Sequence, residues 1–124
     1  MSPWTRLVIA LAGLFGASGV ALAAMSAHVT GGASLMTAAQ FLLFHAAALM
    51  GIIATCARLG RGRATLLVGG LAIALGTILF SGDLAARALM DVKLLGGSAP
   101  FGGVLMIVGW LDVAAVGLLA ALQE

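Results

Sequence analysis

Four long apolar runs dominate the chain, and short polar or glycine-rich segments separate them. The runs cover residues 7–27, 35–57, 64–82 and 100–121, and we expect the third helix to continue to about residue 90. A helix needs about 20 predominantly apolar residues to cross the hydrocarbon core of a bilayer, and the runs are of about that length. The pattern predicts an all-α, polytopic membrane protein, a compact antiparallel bundle of four transmembrane helices.

Charged side chains are scarce, and their scarcity excludes a soluble fold. Asp, Glu, Lys and Arg make up 8% of the 124 residues, whereas 63% are hydrophobic. A soluble domain carries about 25% charged residues. The continuous runs also lack the alternating polarity of a membrane β-barrel. Because only short loops separate the runs, we expect a single transmembrane domain over residues 1–124.

The basic residues are unevenly distributed between the two ends of the predicted bundle. The end that carries both termini holds Arg6, Arg58, Arg61 and Arg63. The opposite end holds Arg87 and Lys93, opposed by Asp83 and Asp91. Because cytoplasmic loops are rich in Lys and Arg, we predict that both termini are cytoplasmic. The net charge of +2 therefore reports topology, and we expect no nucleic-acid partner.

The first run has a second interpretation as a cleavable signal peptide. Arg6, the apolar run and the small residues Ala21-Leu22-Ala23 have the order of such a peptide. The run is long enough to span a bilayer, however, whereas the apolar part of a signal peptide has about 7–15 residues. We therefore expect a retained first helix.

Small residues repeat at three- and four-residue spacing along three of the runs. In lipid, small residues let helix backbones approach closely, so such stripes predict packed faces. The stripe of the first run contains Gly13, Ala17, Ala21, Ala24 and His28. The stripe of the third contains Gly69, Ala72, Gly76, Asp83 and Arg87. The stripe of the fourth contains Gly102, Leu105, Gly109, Asp112 and Ala115.

Two ionisable side chains lie in the middle of the predicted spans. Such residues are costly in lipid and usually face the protein interior, where they often serve function. His45 and Asp112 lie on helices that run in the same direction, about 15 and 18 Å into a core of about 30 Å. We predict that they meet near the midplane, either as a proton relay or as a buried hydrogen bond that fixes the helix register.

A second polar group lies at the opposite end from the termini. His28 ends the first predicted helix there, and Asp83 and Arg87 follow at the end of the third with the i,i+4 spacing of an ion pair. This group either anchors the helices at the interface or forms a small site open to the periplasm. Met25 and His28, one turn apart, also suit Cu(I), which makes a copper site the alternative to packing.

No pattern in the chain indicates an enzyme. It has no nucleophile elbow with a Ser, His and Asp order, no phosphate-binding glycine loop and no cluster of metal ligands. We therefore expect a non-enzymatic protein without a cofactor, whose partners are the lipid bilayer and, within it, a second copy or another membrane protein.

Four segments resemble motifs of a known family, the YgdD-type small bacterial inner-membrane proteins. Residues 21–28 (ALAAMSAH) resemble the family's LGAFGAH, and residues 40–45 (QFLLFH) resemble its EYQAFH. Residues 76–82 (GTILFSG) are similar to its GTVLFSG. Residues 99–103 (APFGG), followed by Gly109-Trp110, are similar to its TPVGG and GW. The resemblance implies a four-span inner-membrane protein with mitochondrial relatives, and it brings no known reaction or ligand.

The departures from these motifs affect the candidate residues. Phe41 stands where the family has Tyr, and neither Asp83, Arg87 nor Asp112 belongs to a matched motif. A mechanism shared with the family is therefore expected at His28 and His45. We predict a small binding or assembly partner within the bilayer. The alternatives are a protein that conducts protons or small solutes and a copper-handling protein.

Overall fold

The computed structural model describes residues 1–28 and 32–122, and most of them are helical. The helices are α1 (Pro3–His28), α2 (Gly32–Cys56), α3 (Arg63–Met90) and α4 (Ala99–Leu122), with a 3₁₀ turn at Leu94–Gly96 between α3 and α4. All four α-helices are long and apolar enough to cross a membrane. The prediction of four transmembrane helices is confirmed.

The helices pack in the order of the sequence. Helix α1 lies against α2, α2 against α3, and α3 against α4, while α1 also touches α3. The described parts of α2 and α4 keep all their Cα atoms more than 8 Å apart. A gap is therefore left between α2 and α4, with α3 behind it.

Helices α3 and α4 approach each other most closely, at glycines of the two predicted stripes. A Cβ added to Gly102 would lie 2.5 Å from the carbonyl oxygen of Gly76, and one added to Gly109 would lie 2.9 Å from that of Gly69. The stripes of α3 and α4 are confirmed at these four buried glycines. Ala115, at the end of the α4 stripe, is exposed instead.

The stripe predicted for α1 is wrong. Its five residues, Gly13, Ala17, Ala21, Ala24 and His28, are all exposed. The buried residues of α1 lie on another face and are Val8, Ala12, Phe15 and Gly19. A Cβ on Gly19 would lie 2.7 Å from Leu43 Cγ of α2, so this face carries the close approach. Helix α1 has small residues on both faces, and residue size alone does not identify the packed one.

Buried hydroxyl groups connect α3 to its neighbours. Ser81 Oγ donates to the carbonyl oxygen of Ala38 in α2 at 2.9 Å, and Ser98 Oγ donates to that of Leu79 in α3 at 2.8 Å. Ser81 and Gly76 both belong to the segment 76–82, so this motif-like segment holds α3 against α2 and α4.

Candidate functional site

The gap between α2 and α4 forms an apolar groove. Its walls are residues 48–55 of α2 and residues 110–120 of α4, and Leu66 of α3 forms its floor. Its volume is about 410 Å³. We call it the α2/α4 groove. It runs from the middle of the bundle to the end that carries the termini, and two glycines in its walls, Gly51 and Gly117, would each accept a Cβ with no atom within 4 Å.

A hydrogen bond between two helices lies at the mid-membrane end of the groove. Trp110 Nε1 of α4 donates to Nε2 of His45 in α2 at 3.2 Å. The other ring nitrogen of His45, Nδ1, lies 2.7 Å from the carbonyl oxygen of Phe41. An indole N–H only donates and a carbonyl oxygen only accepts, so Nε2 accepts from Trp110 and Nδ1 donates to Phe41. Both nitrogens of this buried side chain are therefore engaged.

Aromatic rings surround His45 on the side away from Trp110. The Phe41 ring stacks on the imidazole with centroids 5.7 Å apart, and the Phe80 ring of α3 lies 4.6 Å from that of Phe41. The rings therefore form a row that crosses α3, α2 and α4, in the order Phe80, Phe41, His45 and Trp110. Rings pack the imidazole in place, so its orientation toward Trp110 is fixed.

The predicted meeting of His45 and Asp112 is wrong. The structure forms no hydrogen bond between them within the described chain, because His45 is bonded to Trp110 and Phe41. Trp110 and Asp112 are two residues apart, which places them about 200° apart around a helix of 3.6 residues per turn. Trp110 consequently faces α2, whereas the Asp112 carboxyl lies against Gly69 of α3.

The Asp112 carboxyl lies at the contact between α3 and α4. Its Oδ2 atom is buried and has no hydrogen-bond partner among the described residues. A carboxyl group in this setting loses hydration without compensation, which makes it costly for packing. It lies where a side chain at position 69 would collide with it, so the glycine there makes room for the carboxyl.

Asp83 and Arg87 form the ion pair that their spacing predicts, and the structure adds a second role. Arg87 donates to both carboxylate oxygens of Asp83, through Nε at 3.1 Å and Nη2 at 3.0 Å. The same carboxylate accepts the backbone N–H groups of Leu94 at 2.9 Å and Ala99 at 3.0 Å. Asp83 is fully buried. Its hydrogen bonds to the two backbone N–H groups hold the 3₁₀ turn and the start of α4 against the end of α3.

The remaining candidates lie apart from these groups. His28 is exposed at the end of α1 and takes no part in the hydrogen bonds on Asp83, and Met25 is half-buried one turn before it. Within residues 1–28 and 32–122, no three His, Cys, Asp or Glu side chains lie close enough to hold a metal ion.

A smaller cavity adjoins the α2/α4 groove at the end that carries the termini. Arg61 and the first turn of α3, with Gly62 and Thr65, line it, and its volume is about 210 Å³. We call it the Arg61 pocket. Gly62 is the N-cap of α3 and makes no side-chain capping hydrogen bond, so the first N–H groups of this helix lack a side-chain partner. The charge pattern of the sequence assigns Arg61 only a role in membrane topology.

We expect the hydrogen bond between Trp110 and His45 to couple the two side chains energetically. In a double-mutant cycle of Trp110→Phe and His45→Phe, the coupling should be about 0.6 kcal/mol, the average for hydrogen bonds between membrane helices. The free energy of unfolding in detergent micelles measures it. Trp4→Phe is the control, because Trp4 is 58% exposed and its loss should show no coupling to His45→Phe. A zero coupling for the Trp110 pair would contradict this assignment.

Comparison with known proteins gives matches over most of the chain. A family model described as "Protein of unknown function (DUF423)" matches residues 10–103. The UPF0382 inner membrane protein YgdD of Escherichia coli (strain K12) is 34% identical over 113 residues, covering 86% of this chain and 85% of that protein. The protein of the same name from Shigella flexneri matches equally. A UPF0382 membrane protein of Staphylococcus epidermidis is 53% identical over 36 residues, 29% of this chain and 30% of its own. No solved structure matches.

Proposed function

We propose a binding function for this chain, which belongs to the DUF423 family of multi-pass inner-membrane proteins of unknown function. It is a non-enzymatic protein, and its ligand is a hydrocarbon chain. The ligand would move sideways from the bilayer into the α2/α4 groove. The observation that carries this proposal is the groove itself, an apolar cavity of about 410 Å³ between two transmembrane helices whose backbones stay more than 8 Å apart.

The size and chemistry of the groove support a ligand of this class. Sites for small molecules occupy about 300–1,000 Å³ and often lie between the helices of a bundle. Thr55 is the groove's hydroxyl-bearing residue, and its Oγ1 already donates to the carbonyl oxygen of Gly51 at 2.8 Å. The walls thus offer dispersion contacts along their length, which suits an unbranched hydrocarbon better than a polar solute.

The two ends of the Trp110–His45 hydrogen bond support the relevance of the groove. His45 lies in the segment that resembles the family's second motif, and Trp110 lies in the segment that resembles its last. Two motif-like segments therefore join at the mid-membrane end of the groove. Binding is proposed in preference to catalysis because both His45 nitrogens are engaged, which leaves neither as a base.

The proton-conducting alternative finds less support. It requires His45 and Asp112 to exchange a proton, whereas Trp110 bonds His45 and Gly69 faces Asp112. The copper alternative rests on Met25 and His28 alone.

We expect Gly117→Leu to displace the ligand without disturbing the fold. The new side chain meets no atom within 4 Å of its Cβ and extends into the groove. Losing about ten carbon–carbon contacts of ~0.1–0.2 kcal/mol each lowers affinity about tenfold. Native mass spectrometry of the protein purified from its own membranes measures the fraction that retains a lipid-sized ligand.

Gly13→Leu is the matched control for this substitution. Gly13 is also a helical glycine with open space around its Cβ, but it lies on the exposed face of α1, away from the groove. It should retain the ligand at the level of the unmodified protein. Equal ligand retention in Gly117→Leu and Gly13→Leu would refute the groove as the binding site.

A further inference from the structure

The α2/α4 groove and the Arg61 pocket together have the shape and charge of a site for one membrane lipid. We propose that they bind an anionic phospholipid, with an acyl chain in the groove and the phosphate in the Arg61 pocket. This inference rests on the proposed function and names the ligand class.

The length of the groove matches one leaflet of a bilayer. Its α4 wall runs from Trp110 to Ala120, ten steps along the helix, which at 1.5 Å per step is about 15 Å. The hydrocarbon core of a bilayer is about 30 Å thick, so one leaflet contributes about 15 Å. An acyl chain that starts at the level of Ala120 therefore ends near Trp110, at the mid-membrane end of the groove.

The Arg61 pocket supplies positive charge at the end where the headgroup would lie. Arg61 lines the cavity, and a guanidinium is suited to a phosphate because it forms paired hydrogen bonds. The first turn of α3 lines it as well, and the N-terminus of a helix presents free N–H groups and the positive end of the helix dipole. No acidic residue occurs among the described residues that line the two cavities.

The two cavities are adjacent on α4. Val116 and Ala120, one turn apart on the same face, line both of them. A free phosphate would use only the pocket, and a neutral hydrocarbon would use only the groove. A phospholipid occupies both through one molecule, which is why an anionic phospholipid is the occupant that fits the combined surface.

Tryptophan fluorescence tests this assignment directly. The chain has two tryptophans, so Trp4→Phe leaves Trp110, in the wall of the groove, as the reporter. The full-length Trp4→Phe protein is placed in phosphatidylcholine vesicles that contain phosphatidylglycerol or phosphatidylcholine brominated toward the methyl end of the acyl chain. Bromine quenches Trp110 on contact. We expect about fivefold higher relative affinity for the brominated phosphatidylglycerol, the effect of one basic residue at a membrane surface.

Substitutions at Arg61 test the headgroup contact. R61Q should remove the preference and R61K should keep most of it, because the charge remains. R6Q is the control, because it removes one exposed arginine at the same end of the molecule without touching either cavity. Added inorganic phosphate should not displace the lipid.

The results separate this inference from the proposed function. If the protein shows no preference for phosphatidylglycerol, or keeps the preference in R61Q, selection of an anionic headgroup by Arg61 is refuted, because both lipids carry a phosphate and differ in net charge. In that case a loss of quenching by both lipids in Gly117→Leu would still support the groove. Trp110 is 43% exposed, so surrounding bilayer lipid also quenches it. If Gly117→Leu changes neither the quenching by both lipids nor the ligand retained in native mass spectrometry, the groove holds no acyl chain and both proposals fail.

Discussion

Adding one methyl group at Gly102, by Gly102→Ala, is expected to lower the stability of the protein by about 1–3 kcal/mol, the usual cost of overpacking. The new Cβ would lie 2.5 Å from both the Gly76 carbonyl oxygen and the Phe80 backbone nitrogen. Both atoms belong to the backbone of α3, so no side-chain rotation relieves the collision. Helix α4 has to move away from α3, which also separates Gly69 from Gly109.

Gly103→Ala is the matched control, because it adds the same methyl group one position further along α4. A Cβ on Gly103 would have Phe80 Cδ2 as its nearest neighbour, at 4.0 Å, which is ordinary contact. We expect this variant to be at least as stable as the unmodified protein, since alanine favours a helix more than glycine does. Thermal unfolding in detergent compares the two. Similar melting temperatures for both variants would contradict the close approach of α3 and α4.

The second large effect is expected for Asp83→Asn, which should strongly destabilise the connection between α3 and α4. Each oxygen of Asp83 accepts one hydrogen bond from Arg87 and one from a backbone N–H, of Leu94 or of Ala99. Whichever way the amide of asparagine turns, its NH₂ group faces two donors. Two hydrogen bonds are therefore lost, and their two donors face the N–H groups of the amide, while the remaining oxygen keeps the other two.

Two further variants serve as comparisons for the loss of stability in Asp83→Asn. Arg87→Gln leaves both backbone hydrogen bonds on Asp83 intact, so it should lower the melting temperature about half as much as Asp83→Asn. Asp91→Asn should change it little, because Asp91 is exposed. If Asp83→Asn and Asp91→Asn had the same melting temperature, the hydrogen bonds of Asp83 would not be what stabilises the connection between α3 and α4.

The positions of the helices were predictable from the sequence because length and continuous hydropathy determine what spans a bilayer. The four helices begin within about four residues of their predicted starts. The packed faces were predictable only where one face of a helix holds the small residues, as in α3 and α4. In α1 both faces do, and hydropathy does not choose between them, because lipid and protein interior are equally apolar.

The site was less predictable, because depth in the membrane does not specify direction around a helix. The depths of His45 and Asp112 suggested a pair, but the 3.6-residue turn points Trp110 toward His45 and Asp112 toward α3. The spacing of the motif-like segments did contain a usable indication, since Trp110 and His45 both belong to them. The groove depends on the separation of α2 and α4, a tertiary property without a local pattern.

The order in which the helices pack bears on how the protein is made. Each helix has its main partner next to it in the sequence, from α1 on α2 to α3 on α4. A ribosome that delivers helices to the membrane one at a time therefore always delivers the next one beside its finished partner. Contacts that are local in sequence form without a long search, so biogenesis of this bundle requires no early helix to remain unpaired until the last is synthesised.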